Sequence, residues 1–160
     1  LRELVDLCAN QNVALISDCG TPGFSDPGAD LVAACRAKQI KMSAAPGASS
    51  LMTLLSLSSQ KLTEFTFIGF LPAKTEERQN ALKNLKTEKR AWIIMDTPYR
   101  LKAVLADLAA TMPNERGLLG LNLTQDDEEL LEGTCKELAQ KCPVEEAEFV
   151  FLKYGAKAQA

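Results

Sequence analysis

Ile16-Ser-Asp-Cys-Gly-Thr-Pro-Gly-Phe-Ser-Asp-Pro-Gly28 follows the short apolar run Val13-Ala-Leu-Ile16 and precedes a helix-patterned stretch that starts at Ala29. Three glycines, two prolines, three hydroxyl residues and two carboxylates are more than a simple turn requires. In open α/β sheets ligands sit beyond the carboxyl ends of strands, where small residues let them approach the backbone. A strand, this loop and a helix therefore predict a ligand-facing connection in an α/β protein.

The same pattern recurs outward from the loop. Upstream, Leu1, Leu4, Val5 and Cys8 fall at helical spacing, and Asn10-Gln-Asn12 ends the helix. Downstream, Asp26 is the expected N-cap and Pro27 the first turn of a helix through Lys38. Ile40–Ala44 reads as a strand, Pro46-Gly-Ala-Ser-Ser50 as a second small-residue loop, and Ser50–Ser58 as a helix. Buried apolar strands alternating with helices imply a parallel sheet covered on both faces.

Composition changes at Ser58–Lys61, where a second unit is expected to begin. There, Glu64–Gly69, Ala91–Met95, Gly117–Leu123 and Ala147–Tyr154 read as strands. Helices are expected from Thr75 to about Lys86, with its basic residues outward, from Pro98 to Ala110, and from Thr134 to Lys141 after a turn at Glu132-Gly133. The predicted division is 1–60, 61–155 and a flexible tail at 156–160.

Composition narrows the chemistry. The 160 residues are 46% apolar and 24% charged with a net charge of −3, which allows a real core but no overall field for nucleic acid. The absence of histidine removes Ser-His and Cys-His catalysis within this chain. Five scattered cysteines suggest reduced thiols in a cytoplasmic protein, with no metal-ligand spacing. No apolar run approaches the roughly 20 residues needed to span a bilayer. The basic stretch 74–90 and the acidic run Asp126–Glu129 read as solvated faces rather than as an RNA track or a cation site. Trp92 and Phe67 belong to the core, whereas Tyr99, after Pro98 at a strand-to-helix turn, is open to packing or to a substrate contact.

Residues 16–32 closely resemble the S-D-A-G-T-P-x-x-S-D-P-G motif of the ribosomal RNA small subunit methyltransferase I family, part of the tetrapyrrole-methylase (class III) superfamily. Support continues with Pro46-Gly-Ala-Ser-Ser50, Phe67-Ile-Gly-Phe-Leu-Pro72, Asp96-Thr-Pro-Tyr-Arg100, Leu123-Thr-Gln125 and Glu132-Gly-Thr134. The resemblance implies part of an N-terminal parallel α/β domain, its first strands preceding Leu1, and a C-terminal mixed-sheet α/β domain, with a cleft between them for S-adenosyl-L-methionine. It further implies a homodimer that methylates ribosomal RNA in the small subunit, at a ribose 2′-hydroxyl, without membrane or metal.

By that resemblance Gly20, Thr21, Pro22, Phe24 and Ser25 approach the cofactor, joined by Ser49 and Ser50. Met95, Asn122, Leu123 and Thr124 are expected to hold adenine and ribose. Methyl transfer from a sulfonium needs in-line approach and shielding from water more than a strong acid or base. Asp18, Asp96 and Arg100 are the catalytic candidates, Asp26 being a further carboxylate. The family's E-S-P-H-R stands here as Asp96-Thr-Pro-Tyr-Arg100, and its R-E-L-T-K as Leu121-Asn-Leu-Thr-Gln125. The second change removes three charges, so a small-molecule or tetrapyrrole methyltransferase and a non-catalytic cofactor-binding or dimerisation module are the alternatives.

Overall fold

A computed structural model describes residues 1–18 and 20–155. The expected tail at 156–160 lies outside these. The chain divides into two compact units, Leu1–Ser49 and Ser50–Ala160. The division precedes the composition change at 58–61, because the intervening helix buries Leu51 and Leu54 in the second unit.

In the first unit α1 (Arg2–Asn10) lies against α2 (Ala29–Ala37), with Val5 and Cys35 buried and Lys38 Nζ 2.8 Å from Asp6 Oδ1. Gly28, not Asp26, occupies the N-cap of α2 at φ +144°, so the cap is a backbone feature without a side-chain acceptor. Neither Val13–Ile16 nor Ile40–Ala44 is a strand among the described residues. Both run without a ladder, and Val13, Leu15, Ile16 and Met42 are exposed. Apolar β-prone sequence records a need for cover, whereas a strand exists only with a hydrogen-bonding neighbour. The parallel sheet expected here is thus not formed by the described residues.

The second unit contains α3 (Ser50–Ser56), β1 (Phe65–Gly69), α4 (Thr75–Leu85), β2 (Ala91–Asp96), a 3₁₀ turn (Pro98–Arg100), α5 (Leu101–Thr111), β3 (Arg116–Leu121), β4 (Glu129–Thr134), α6 (Cys135–Lys141) and β5 (Phe149–Lys153). The sheet order is β1-β2-β5-β3-β4, with β1 and β2 parallel and the remaining pairs antiparallel. The mixed sheet expected of this unit is present. The proposed turn at Glu132-Gly133 is instead the end of β4, where Gly133 pairs with Gly117. Thr134 then caps α6 through a reciprocal box, accepting from Glu137 N at 3.2 Å while Glu137 Oε2 accepts from Thr134 N at 2.8 Å.

Two apolar layers sandwich the sheet. Trp92, Ile94, Phe149 and Phe151 join Leu82, Leu105, Leu108 and Leu138 of the α4, α5 and α6 side. Ile93, Val150 and Leu152 join Leu51 and Leu54 of α3 on the other. Consecutive residues of β5 therefore face opposite layers, and all five are buried. Trp92 and Phe151 meet edge to face at 5.7 Å.

One residue of α4 departs from the outward-facing expectation. Arg78 is buried, its Nε donating to Asp107 Oδ2 at 2.6 Å and its Nη1 to Ala73 O at 3.1 Å, while Gln79 donates to Asp107 Oδ1 at 2.8 Å. A buried carboxylate on α5 requires a charged partner, and the Arg78 guanidinium supplies it.

Candidate functional site

In the first unit the loop 17–28 is shaped by left-handed backbone at Gly20 (φ +73°), Gly23 (φ +78°) and Ser25 (φ +59°). Beyond its chain neighbours, a β-carbon at Gly20 would meet nothing within 4 Å among the described residues, which leave that side of the backbone open. Thr21 Oγ1 donates to Ala48 O at 3.0 Å, which ties this loop to Pro46–Ser50. The loop 17–28 and residues 46–49 of the second small-residue loop are thus neighbours within the first unit. Phe24 N donates to Thr21 O at 3.4 Å and closes the turn around Pro22, and the Phe24 ring is half exposed. Asp18 and Asp26 are exposed, and Ser49 is half-buried.

In the second unit Met95 is the penultimate residue of β2, and Asn122, Leu123 and Thr124 follow β3. Met95 and Leu123 pack on the α3 side of the sheet, and Leu123 covers Gly120 beside Leu54. Asn122 and Thr124 both have positive φ, at 45° and 70°. Their amides are already engaged, Asn122 N by Glu148 O at 2.8 Å and Thr124 N by Glu128 Oε2 at 2.6 Å. The Asn122 amide group also bonds Asp127 Oδ2 and Glu148 N. Asn122, Asp126, Asp127, Glu128 and Glu129 line a cleft of about 280 Å³ with a carboxylate-rich wall. The Glu128 clamp had no signal in the sequence, since it depends on a turn that positive φ values create.

Asp96 and Arg100 form a second constellation. Asp96 is 3% exposed, and period-2 alternation places its side chain with Trp92 and Ile94, opposite Met95. Its Oδ1 accepts from Thr97 N at 2.8 Å and lies 3.1 Å from Arg100 Nη1. Its buried Oδ2 has no hydrogen-bond partner among the described residues. Arg100 Nη2 donates to Leu71 O at 3.0 Å and Pro72 O at 2.7 Å. The pair therefore fastens the loop after β1 to the turn after β2.

Among the described residues no cluster of three or more metal-ligating side chains occurs, and Cys8, Cys35, Cys135 and Cys142 are free thiols. Burial pushes the Cys135 thiol up to about 12, which makes it inert packing material rather than a nucleophile. No helix among them is long and apolar enough to cross a membrane.

A family-wide sequence profile, Tetrapyrrole (Corrin/Porphyrin) Methylases, matches residues 2–139. The chain belongs to the tetrapyrrole methylase family. Among individual members, it is 43% identical over 132 residues to ribosomal RNA small subunit methyltransferase I of Synechocystis sp., covering 82% of this chain and 47% of the relative. The protein of the same name from Micromonospora olivasterospora is 41% identical over 146 residues, covering 91% of this chain and 47% of its own length. The chain thus spans about half the length of these curated relatives. Among solved members of the fold, the methyltransferase CobJ superposes with a TM-score of 0.67 at 14% identity, covering 99% of this chain and 71% of its own. A uroporphyrin-III C-methyl transferase from Thermus thermophilus, solved with S-adenyl homocysteine, gives 0.55 at 14% identity over 84% of this chain and 62% of its own. At that identity these two establish the tetrapyrrole methylase fold alone.

Proposed function

We propose that the protein carrying this tetrapyrrole methylase chain transfers a methyl group from S-adenosyl-L-methionine to ribosomal RNA of the small subunit, at a ribose 2′-hydroxyl. The observation that carries the cofactor reading is the Thr21–Ala48 bond, which joins two small-residue loops beside the open face of Gly20. Backbone approach of a ligand needs that kind of opening. The RNA reading is supported by the identity of 41–43% to proteins named ribosomal RNA small subunit methyltransferase I.

When bound, the cofactor supplies an electrophilic methyl on a sulfonium. The first unit's residues then bind and orient it. Gly20, Thr21 and Pro22 present backbone, Phe24 and Ser25 close the turn, and Ser49 follows from the second loop, with Ser50 added from the start of the second unit. In the second unit Met95 and Leu123 offer an apolar surface, and Asn122 and Thr124 fix the backbone that carries it. Asp18 is the candidate to take the acceptor's proton, since it is exposed. Asp96 Oδ1 is paired with Arg100, and Arg100 also holds two carbonyls, so we assign the pair to positioning the turn at Pro98–Arg100. A cytoplasmic homodimer is the expected working form, on the strength of the family resemblance.

Calorimetry of the intact protein with S-adenosylhomocysteine tests the cofactor half. Saturable heat at micromolar ligand is expected, and none at millimolar ligand would overturn it. Labelled methyl transfer to small ribosomal subunits tests the acceptor half, which fails if label moves only to a tetrapyrrole or to nothing.

A further inference from the structure

The second unit contains eight aromatic residues, and their exposure is uneven. Trp92, Phe149, Phe151 and Tyr154 are buried, and Phe65 and Phe67 are partly so. Phe70 is 50% exposed and Tyr99 71%. These two are not scattered. Phe70 follows the last residue of β1, and Tyr99 sits in the 3₁₀ turn after β2. Since β1 and β2 are parallel neighbours, both residues follow adjacent strands at one carboxyl edge of the sheet.

The edge is also pre-organised. Gly69 turns the chain at φ +76° to present Phe70, and Pro98 opens the turn that presents Tyr99. Arg100 locks the two connections together through its bonds to Leu71 O and Pro72 O, and it is itself held by Asp96. Exposed rings on fixed backbone lose little entropy when they stack on a ligand.

We infer that Phe70 and Tyr99 form a stacking platform for an unpaired nucleobase of the RNA substrate. This rests on the RNA reading above, and it names how that substrate is gripped. The cations of these connections are held by other groups, so what the edge offers a ligand is ring faces rather than free charge. Arg100 is engaged by Asp96 and two carbonyls, Lys74 pairs with Glu77 at 3.0 Å, and Lys102 is bound by Cys142 O and Glu145. Strand alternation puts Asp96, which holds Arg100, on the face of Trp92 and Ile94, opposite Met95 and Leu123.

The test uses the intact protein and a short single-stranded RNA carrying one 2-aminopurine, whose fluorescence is quenched when the base stacks. Phe70→Ala and Tyr99→Ala are each expected to weaken RNA binding roughly 5- to 100-fold and to relieve the quench. Phe70→Tyr and Tyr99→Phe, which keep a ring, should restore both. S-adenosylhomocysteine affinity should stay within about twofold of wild type in all four variants, which also shows that they fold. If the wild-type protein binds RNA while the alanine variants quench and bind equally well, the platform is overturned and the RNA reading stands. If the wild-type protein binds no RNA, both fall. A parallel loss of cofactor affinity, or a change in oligomeric state in the alanine variants, would assign the rings to the cofactor or to a subunit interface and overturn the platform.

Discussion

Thr21 Oγ1 donates to the carbonyl of Ala48 at 3.0 Å across a gap of twenty-seven residues in sequence. The bond holds two glycine- and proline-containing loops side by side, neither of which has regular secondary structure to position it. Thr21→Val keeps the shape and removes the donor. A hydrogen bond of this kind contributes about 1 kcal/mol net, so the first unit should lose little stability. S-adenosylhomocysteine affinity should fall roughly tenfold, the factor that corresponds to about 1.4 kcal/mol. Calorimetry beside thermal denaturation separates the two effects, and an unchanged affinity would mean that the loops do not need the bond to bind ligand.

Gly20→Val probes the open side of the same loop. The left-handed backbone costs a β-branched residue on the order of 1–3 kcal/mol of strain. Among the described residues beyond its chain neighbours, nothing lies within 4 Å of the new β-carbon, so they add no steric clash to that cost. Ligand affinity should drop by more than the stability change accounts for. Equal losses would make the glycine a purely conformational requirement.

The Arg78–Asp107 pair gives a prediction with two arms. Arg78→Met leaves a buried carboxylate without its cation and should destabilise the second unit by about 3–5 kcal/mol. Combining it with Asp107→Leu removes both charges and should recover most of that loss. Urea denaturation of the single and double variants reads the difference. A double variant as unstable as the single one would show that packing, not the unpaired charge, is responsible.

Acid stability has an identified contributor in the tight turn before β2. Arg90 donates to the Glu88 carboxylate from its side chain, at 3.1 and 2.8 Å, and from its backbone at 2.9 Å. These bonds hold the Glu88 carboxyl at about 2, below its ordinary 4.5. A depressed value means that the folded state favours the ionised form. Its stabilisation is complete above pH 4.5 and is lost as the pH falls through about 2. The difference in Tm between wild type and Glu88→Gln should therefore be constant near neutrality and shrink over that acid range. A difference independent of pH would show that the carboxylate's charge is not what the turn uses.

Much of the second unit was legible because its signals are local. β1, β2 and β5 are apolar runs, Pro98 opens a helix, and Thr134 with Glu137 spells a capping box. β4 was missed because Glu129–Thr134 carries two glutamates and a glycine, and only its pairing with β3 makes it a strand. Arg78 reads as a surface cation until Asp107, on another helix, is placed beside it. In the first unit the helices were legible and the strands were not formed. Val13–Ile16 and Ile40–Ala44 have strand composition, yet pairing is a property of a neighbour and not of the segment. For the candidate site, the sequence pointed to the two loops, and the Thr21–Ala48 bond makes them one feature. The hold of Arg100 on Leu71 O and Pro72 O and of Glu148 O on the Asn122 amide was hidden, since partners distant in sequence leave no local pattern, while the four-residue Asp96–Arg100 and Thr124–Glu128 contacts depend on turn geometry.

β5, the last of the five strands in chain order, is seated between β2 and β3. Until it arrives, the parallel pair β1-β2 and the hairpin β3-β4 share no hydrogen-bonded edge. During synthesis each would emerge from the ribosome as an open half-sheet, its inner rim unsatisfied, and wait for residues 149–153 to bridge them. Assembly of this unit is therefore a closing step made by the final strand rather than growth outward from the first, and shortening the chain ahead of Phe149 would split the sheet through its middle.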